Sequence, residues 1–208
     1  MAVLKGGIFG NISGKIGNVV AVNRKGVNYL RPKPSSYKDR NSEGQKKHRA
    51  KFSMVMKFLK PFSGILAIGF EKYAKGKTGF NVAMSYHLKY AVSGIFPNFT
   101  IDYPNTLLCK GGLPGPHEPF LTKAGLNMIA FNWSYLYGKA DDTAIIVIYH
   151  ETLGEVIYEP TNVMRYTGKV LLIVPGHLSG QPVHCWLAFK PANGRDFSNS
   201  AYLGTIVV

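Results

Sequence analysis

The chain has 208 residues, 46% hydrophobic and 12% aromatic, and a formal net charge of +14. Such a composition can bury a core as one or two domains and excludes wholesale disorder; no apolar run approaches the ~20 residues of a membrane span, and no apolar leader follows Lys5, so neither a span nor a classical signal peptide is expected. The charge is lopsided: residues 1–100 hold eighteen Lys and Arg against Asp39, Glu43 and Glu71, a net of +15, whereas residues 101–208 net −1.

The first element is glycine-rich, "GGIFGNISGKIGNVV" at residues 6–20. Its Ser-Gly-Lys invites comparison with a phosphate-binding loop, and the comparison fails on spacing. Counting back from Gly14-Lys15, the required first glycine is Phe9, and the residue after Lys15 is Ile16 rather than a hydroxyl. Gly6, Gly7, Gly10, Gly14 and Gly17 instead suit a tight, irregular chain. A hairpin is predicted next, with "GNVVAVN" and "VNYLR" flanking a turn at Arg24-Lys25-Gly26. Pro32 and Pro34 end it.

A helix follows, capped by Asn41 or Ser42 with Glu43 in its first turn. Phe52, Val55, Met56 and Leu59 fall at i, i+3, i+4 and i+7 and predict one apolar face, which Gln45 and Arg49 extend, until Pro61 stops the run. Lys46, Lys47, Lys51 and Lys57 fall on the wet side. Two short helical segments complete the basic half, "SGILAIGFEKYA" and "TGFNVAMSYHLKYAVSG", separated by the basic linker "KGKTG".

A net of +15 over the first hundred residues exceeds what solubility requires and implies an acidic partner, nucleic acid or an acidic protein surface. The candidate polyanion-binding residues are Lys46, Lys47, Arg49, Lys51 and Lys57. Tyr29, Tyr37, Phe52, Phe58, Tyr73, Tyr86 and Tyr90 interleave with the basic residues and could stack on unpaired bases; their bland reading is a solvated helix face over a core.

The neutral half reads as strands: one near "TLLCKGGL", then "LNMIAFNWSYL", "DDTAIIVIYHE", "EVIYEPT", "GKVLLIVPGHLSG" and, across a Gly-Asn loop, "PVHCWLAFKPANGRDFSNSAYLGTIVV". Some seven short runs over about a hundred residues predict a β-sandwich. The fold expected is therefore α+β: a basic hairpin-plus-helices module over residues 1–100, then an antiparallel seven-stranded sandwich over 101–208, divided near "SGIFPNFTIDYPN" at 93–105. The strand order around Trp133, "AIIVIYHE", "VLLIVP" and "CWLAF" resembles a fibronectin type III or immunoglobulin-like sandwich, with Trp133 on a B-like strand suiting the former. Cys109, Trp133 and Cys185 lack the spacing of true immunoglobulin domains. That resemblance implies adhesion, display or spacing more than catalysis.

A second resemblance covers nearly the whole chain. "SGKIGNVV", Gly26, Arg31, Pro32 and the Gln45–Arg49–Phe52 spacing are similar to a Bacteroidota protein family of unknown function with an N-terminal SGKxGN signature; "YKDRNSEGQ" departs from the Asn-Pro entry to the helix expected there. It implies no known activity, and its members resemble phage- or assembly-type structural proteins.

No catalytic constellation is evident. His177, His184 and Cys185 match no zinc spacing, and a strand would send His184 and Cys185 to opposite faces. His150-Glu151 lacks an orienting third group, Asp141-Asp142 reads as turn capping, and the two cysteines read as small buried hydrophobes of a reducing compartment. No metal or cofactor is expected. The leading expectation is a non-enzymatic structural or assembly protein, forming a homo-oligomer or packing with other structural subunits, made in the cytoplasm and placed in a virion-like particle. Its assembly arm would be the glycine-rich "NISGKIGNVV" together with the hairpin, with Ile12, Ile16, Val19 and Val20 adding a strand to a neighbour. The alternatives are a nucleic-acid-binding protein and an enzyme whose site is assembled from distant residues.

Overall fold

The computed structural model describes residues 3–5, 11–24, 27–34, 39–192 and 196–208. The chain divides into two compact units, Met1–Ser42 and Glu43–Val208. The expected turn at Lys25-Gly26, Gly6, Gly7, Gly10 and Tyr37 lie outside the described residues.

The first unit is an antiparallel meander of β1 (Val3–Lys5), β2 (Asn11–Ile16), β3 (Val19–Arg24) and β4 (Val27–Pro32), paired in that order. The hairpin read from the sequence is β3–β4, in register from Val19↔Pro32 to Arg24↔Val27. The glycine-rich stretch is more regular than expected, since Asn11, Ile12 and Ser13 pair with β1 and Gly14, Lys15 and Ile16 with β3. It turns back at Gly17-Asn18, where a φ of +52° at Gly17 costs glycine nothing and would strain any other side chain. Ala21 is the sole buried residue among the unit's described positions.

The second unit opens with three helices, α1 (Glu43–Leu59), α2 (Ser63–Gly69) and α3 (Gly79–Tyr90). α3 starts where the Thr78 hydroxyl accepts from the Asn81 N–H at 3.2 Å. A short hairpin follows, β5 (Val92–Ile95) and β6 (Asn98–Ile101). Seven strands form the sandwich: β7 (His117–Gly125), β8 (Met128–Ser134), β9 (Thr143–His150), β10 (Glu155–Met164), β11 (Lys169–Ile173), β12 (Pro182–Lys190) and β13 (Ala201–Val207). One sheet has the order β10-β9-β12-β13, the other β11-β8-β7. The fold class is α+β with a sandwich, as the sequence predicted.

Three expectations change. The strand expected near "TLLCKGGL" is an irregular segment; its N–H groups go to Ser200 Oγ (from Leu108, 2.8 Å) and to the Gly69 carbonyl (from Lys110, 2.9 Å) rather than to a ladder. The first sandwich strand is His117–Gly125 instead. α1 buries Val55, Phe58 and Leu59, whereas Phe52 is 40% exposed, so the buried stripe lies to one side of the face predicted.

The third concerns the boundary. The division falls between Ser42 and Glu43, and the stretch at 93–105 lies inside the second unit. The reason is a core shared by helices and sheet: Val55, Phe58, Leu59, Phe62, Ile65, Leu66 and Phe70 pack against Ile145, Val147 and Tyr149 of β9 and Trp186 and Ala188 of β12. The alternate residues of the same strands, Ala144, Ile146 and Ile148 with Cys185, Leu187 and Phe189, face Ile129, Phe131, Val170 and Leu172 of the three-stranded sheet. The unit therefore has three layers, helices, four-stranded sheet and three-stranded sheet, with two cores on either side of one sheet.

Candidate interaction surfaces

The predicted assembly residues lie together in the first unit. Ile12 sits on β2 and Ile16 ends it; Val19 and Val20 begin β3. Ile16 and Val19 are exposed and Ile12 and Val20 half-buried. The larger exposure is on β4, the sheet's edge, where all six residues face solvent. They include Val27, Tyr29 and Leu30, the last 69% exposed. β4 is the second strand of the hairpin expected to belong to the assembly arm, but strand alternation alone does not say whether anything pairs with its outer edge. A further apolar sheet face lies in the second unit, where Phe120 of β7 and Leu171 and Ile173 of β11 are exposed.

The predicted polyanion residues share α1 but not one of its faces. At about 100° per residue, Lys46 and Lys57 point away from the buried stripe and Lys47 flanks it, whereas Lys51, expected on the wet side, lies on the stripe itself one turn before Val55. Lys46, Lys47, Arg49 and Lys57 are exposed and Lys51 half-buried. Lys57 lines a cleft of about 330 Å³ with Phe58, Tyr103, Tyr149 and Glu151.

Behind that cleft stands a cluster of titratable rings. Tyr103 stacks on His184 with centroids 3.8 Å apart. His184 Nδ1 lies 2.8 Å from the Tyr202 hydroxyl, and its Nε2 3.8 Å from a Glu151 carboxylate oxygen. Burial lowers the His184 pKa against the opposing pull of Glu151. Burial, then the Glu151 charge, raises that of Tyr103, whose hydroxyl donates to Glu151. Glu151 thus serves Tyr103 and His184, not its chain neighbour His150, whose Nδ1 accepts from the Leu153 N–H at 3.1 Å. The cleft's polar lining is the Glu151 carboxylate, the Tyr103 and Tyr149 phenols, the Lys57 amine and Thr152.

The remaining candidates are structural. His184 and Cys185 do face opposite ways, Cys185 into the inter-sheet core. His177 Nε2 lies 2.8 Å from a Glu155 carboxylate oxygen, and no three His, Cys, Asp or Glu converge as metal ligands among the described residues. Cys109 and Cys185 are buried free thiols in different cores, and burial pushes the Cys109 thiol up to about 12. Asp142 is more than a turn cap: it is fully buried, and its Oδ2 accepts from Arg165 Nε at 3.2 Å. Arg165 also donates to the Gly115 and Pro114 carbonyls at 3.1 and 2.8 Å and lies over the Phe189 ring. His87, wholly buried, has Nδ1 2.7 Å from the Ala83 carbonyl, and its Nε2 accepts from the Leu107 N–H at 3.3 Å. Those partners fix a neutral ring protonated at Nδ1, and desolvation lowers its pKa to about 4. The long-range pairings Arg165–Asp142 and His184–Tyr202 left no local signal in the sequence.

A second cleft, of about 300 Å³, opens beside α3 between Tyr73, Lys75, Lys77, Tyr86, Tyr90 and Lys110. Lys110 Nζ lies 5.0 Å from the Tyr73 ring centre and 5.6 Å from that of Tyr86. The sequence shows these lysines and tyrosines interleaved, but only the fold gathers them. No single helix among the described residues is long and apolar enough to cross a membrane.

The architecture is that of an α+β protein built on an antiparallel sandwich of a four-stranded and a three-stranded sheet. The chain belongs to the family of unknown function DUF6266, which matches residues 11–204. No curated protein matches it. Eleven chains of solved structure do. One is the fibronectin type III domain of the human collagen alpha-1(XX) chain, at 13% identity over 47% of this chain and 86% of that one, with a TM-score of 0.34.

Proposed function

We propose that this is a non-enzymatic structural subunit that assembles with copies of itself by strand addition along β4. The observation that carries the reading is the edge itself. Among the described residues β4 is a six-residue strand exposed along its whole length and paired on one side only, with Val27, Tyr29 and Leu30 uncovered. An open apolar edge is a template for another chain, and soluble proteins normally blunt it with charge, a bulge or a covering loop. Here Arg31 is the charge on β4 and Pro32 closes it. A self-complementary edge joins two copies antiparallel about a twofold axis, each adding four strands to the other's sheet. The exposed Phe120, Leu171 and Ile173 face offers a second contact for larger assemblies.

Light scattering across a concentration series tests this. The wild-type chain is expected to exceed the monomer mass, and Leu30→Lys, which places a charge on the edge, to return it to monomer. A wild-type monomer at every concentration, or an oligomer untouched by Leu30→Lys, overturns the reading.

A further inference from the structure

We propose that the cleft beside α3 is a binding site for single-stranded nucleic acid, with Tyr73, Tyr86 and Tyr90 as base-stacking surfaces and Lys75, Lys77 and Lys110 as phosphate contacts. The site belongs to the second unit and is independent of the edge-strand reading.

Its geometry combines the two components that sequence-tolerant single-strand binding needs, ring faces and a cationic track. Tyr73 and Tyr90 are exposed aromatic residues of the rim, and Tyr86 lies half-buried between, 5.0 Å from Tyr90 centre to centre. Lys110 is held within reach of two rings at once, so its ammonium is positioned in the cleft before any ligand arrives. Lys75 and Lys77 enter from the linker between α2 and α3, and Lys89 lies over the Tyr90 ring at 5.0 Å. Among the described residues, no carboxylate lines the cleft. The nearby Lys72 is matched by Asp196 at 2.5 Å, so it adds little to the local field. Asp196 is itself drawn toward Lys72 and toward the Gly112 and Phe197 N–H groups, which lower its pKa.

The ring faces favour a single strand over a duplex, because bases still paired and stacked cannot offer their faces to tyrosine. They also favour nucleic acid over an acidic peptide, whose carboxylates would use the lysines and leave the tyrosines idle.

The test is fluorescence anisotropy of the full chain with a labelled oligothymidine of about 20 nucleotides and with a duplex of equal length, over a salt series. The single strand is expected to bind more tightly than the duplex. Lys75→Gln/Lys110→Gln should weaken single-strand binding about tenfold and flatten the log–log salt slope by about 1.4, from ~0.7 per lost phosphate contact. Tyr90→Ala, at an exposed position, should weaken binding by about tenfold with the salt slope unchanged. Lys139→Gln/Lys169→Gln removes the same charge from exposed positions on the sandwich and should leave affinity within about twofold. Absence of wild-type binding overturns the proposal, as do equal affinity for duplex, equal losses in the two double variants, or a loss confined to Lys46→Gln/Lys47→Gln. Should the cleft double variant fail to fold, Tyr90→Ala decides alone.

Discussion

β9 and β4 are both short apolar antiparallel strands, and they meet opposite fates. Every residue of β9 after Thr143 is buried, and every residue of β4 is exposed. The difference is what the chain lays over each face. Helices cover one side of β9 and a second sheet the other, so even and odd positions both find apolar partners. Burying each such side chain contributes roughly 1.5–3 kcal/mol. Among the described residues, β4 has a neighbour at one edge and no buried residue of its own. Strand character is thus a local property, while the work a strand does, core or contact, depends on the layers around it.

The contrast is most easily broken at Trp186. It is fully buried on the helix side of β12, packed on Phe62 and Tyr202, and its Nε1 donates to Thr106 Oγ1 at 2.9 Å. Trp186→Ala should cost about 4 kcal/mol in urea unfolding, chiefly by lost burial and the cavity left behind, since the Thr106 hydroxyl still donates to the Tyr103 carbonyl at 2.6 Å. A cost under about 1 kcal/mol would mean that the helical layer adds little to the sheet it covers.

Acid should loosen that same layer. His87 ties α3 to the segment at Leu107, and its pKa falls from 6.5 to about 4 in the folded chain. The folded state therefore binds fewer protons than the unfolded state between those values. His87's contribution is complete above about pH 6.5, declines as the pH drops toward 4 and amounts to about 3 kcal/mol in total. Urea midpoints of wild type and His87→Gln over this range isolate the effect from the carboxylates; parallel curves would show that His87 is charged in the folded protein. The smallest effect is expected at β4. Leu30→Lys should change unfolding free energy by less than about 0.5 kcal/mol while altering the mass by light scattering, and a large destabilisation would mean that Leu30 belongs to a core.

What could be read beforehand follows the same division. The β3–β4 hairpin, the helices and the strands around Trp133, Val147 and Trp186 announce themselves through spacing and β-branched runs. Phe52 misled because periodicity fixes neither the stripe's exact direction nor its extent: the buried turn begins at Val55 and turns toward Phe58, which the predicted face left out. The boundary near residue 100 followed the change in charge, but charge describes a surface, and the basic helices use their apolar sides to cover β9 and β12. A clue was available in "AIIVIYH" and "VHCWLAF": unbroken apolar runs imply strands covered on both faces, and a two-sheet sandwich covers only one. The cleft at Lys110 was illegible, because it joins the linker after α2, a face of α3 and the segment before β7.

The doubly covered strands carry a consequence for fidelity. In an ordinary half-wet strand, a slip of one position throws greasy side chains into water and is rejected at once. β9 has no such alarm: moved by one residue, it would still offer aliphatic groups in both directions. Correct alignment must rest on bulk and on polar fasteners, Ala144 and Ile148 fitting one layer, Tyr149 the other, with the Asp142–Arg165 pair pinning the strand's entrance. Substitutions that merely preserve oiliness there should therefore be the ones most prone to yield a mispaired sheet.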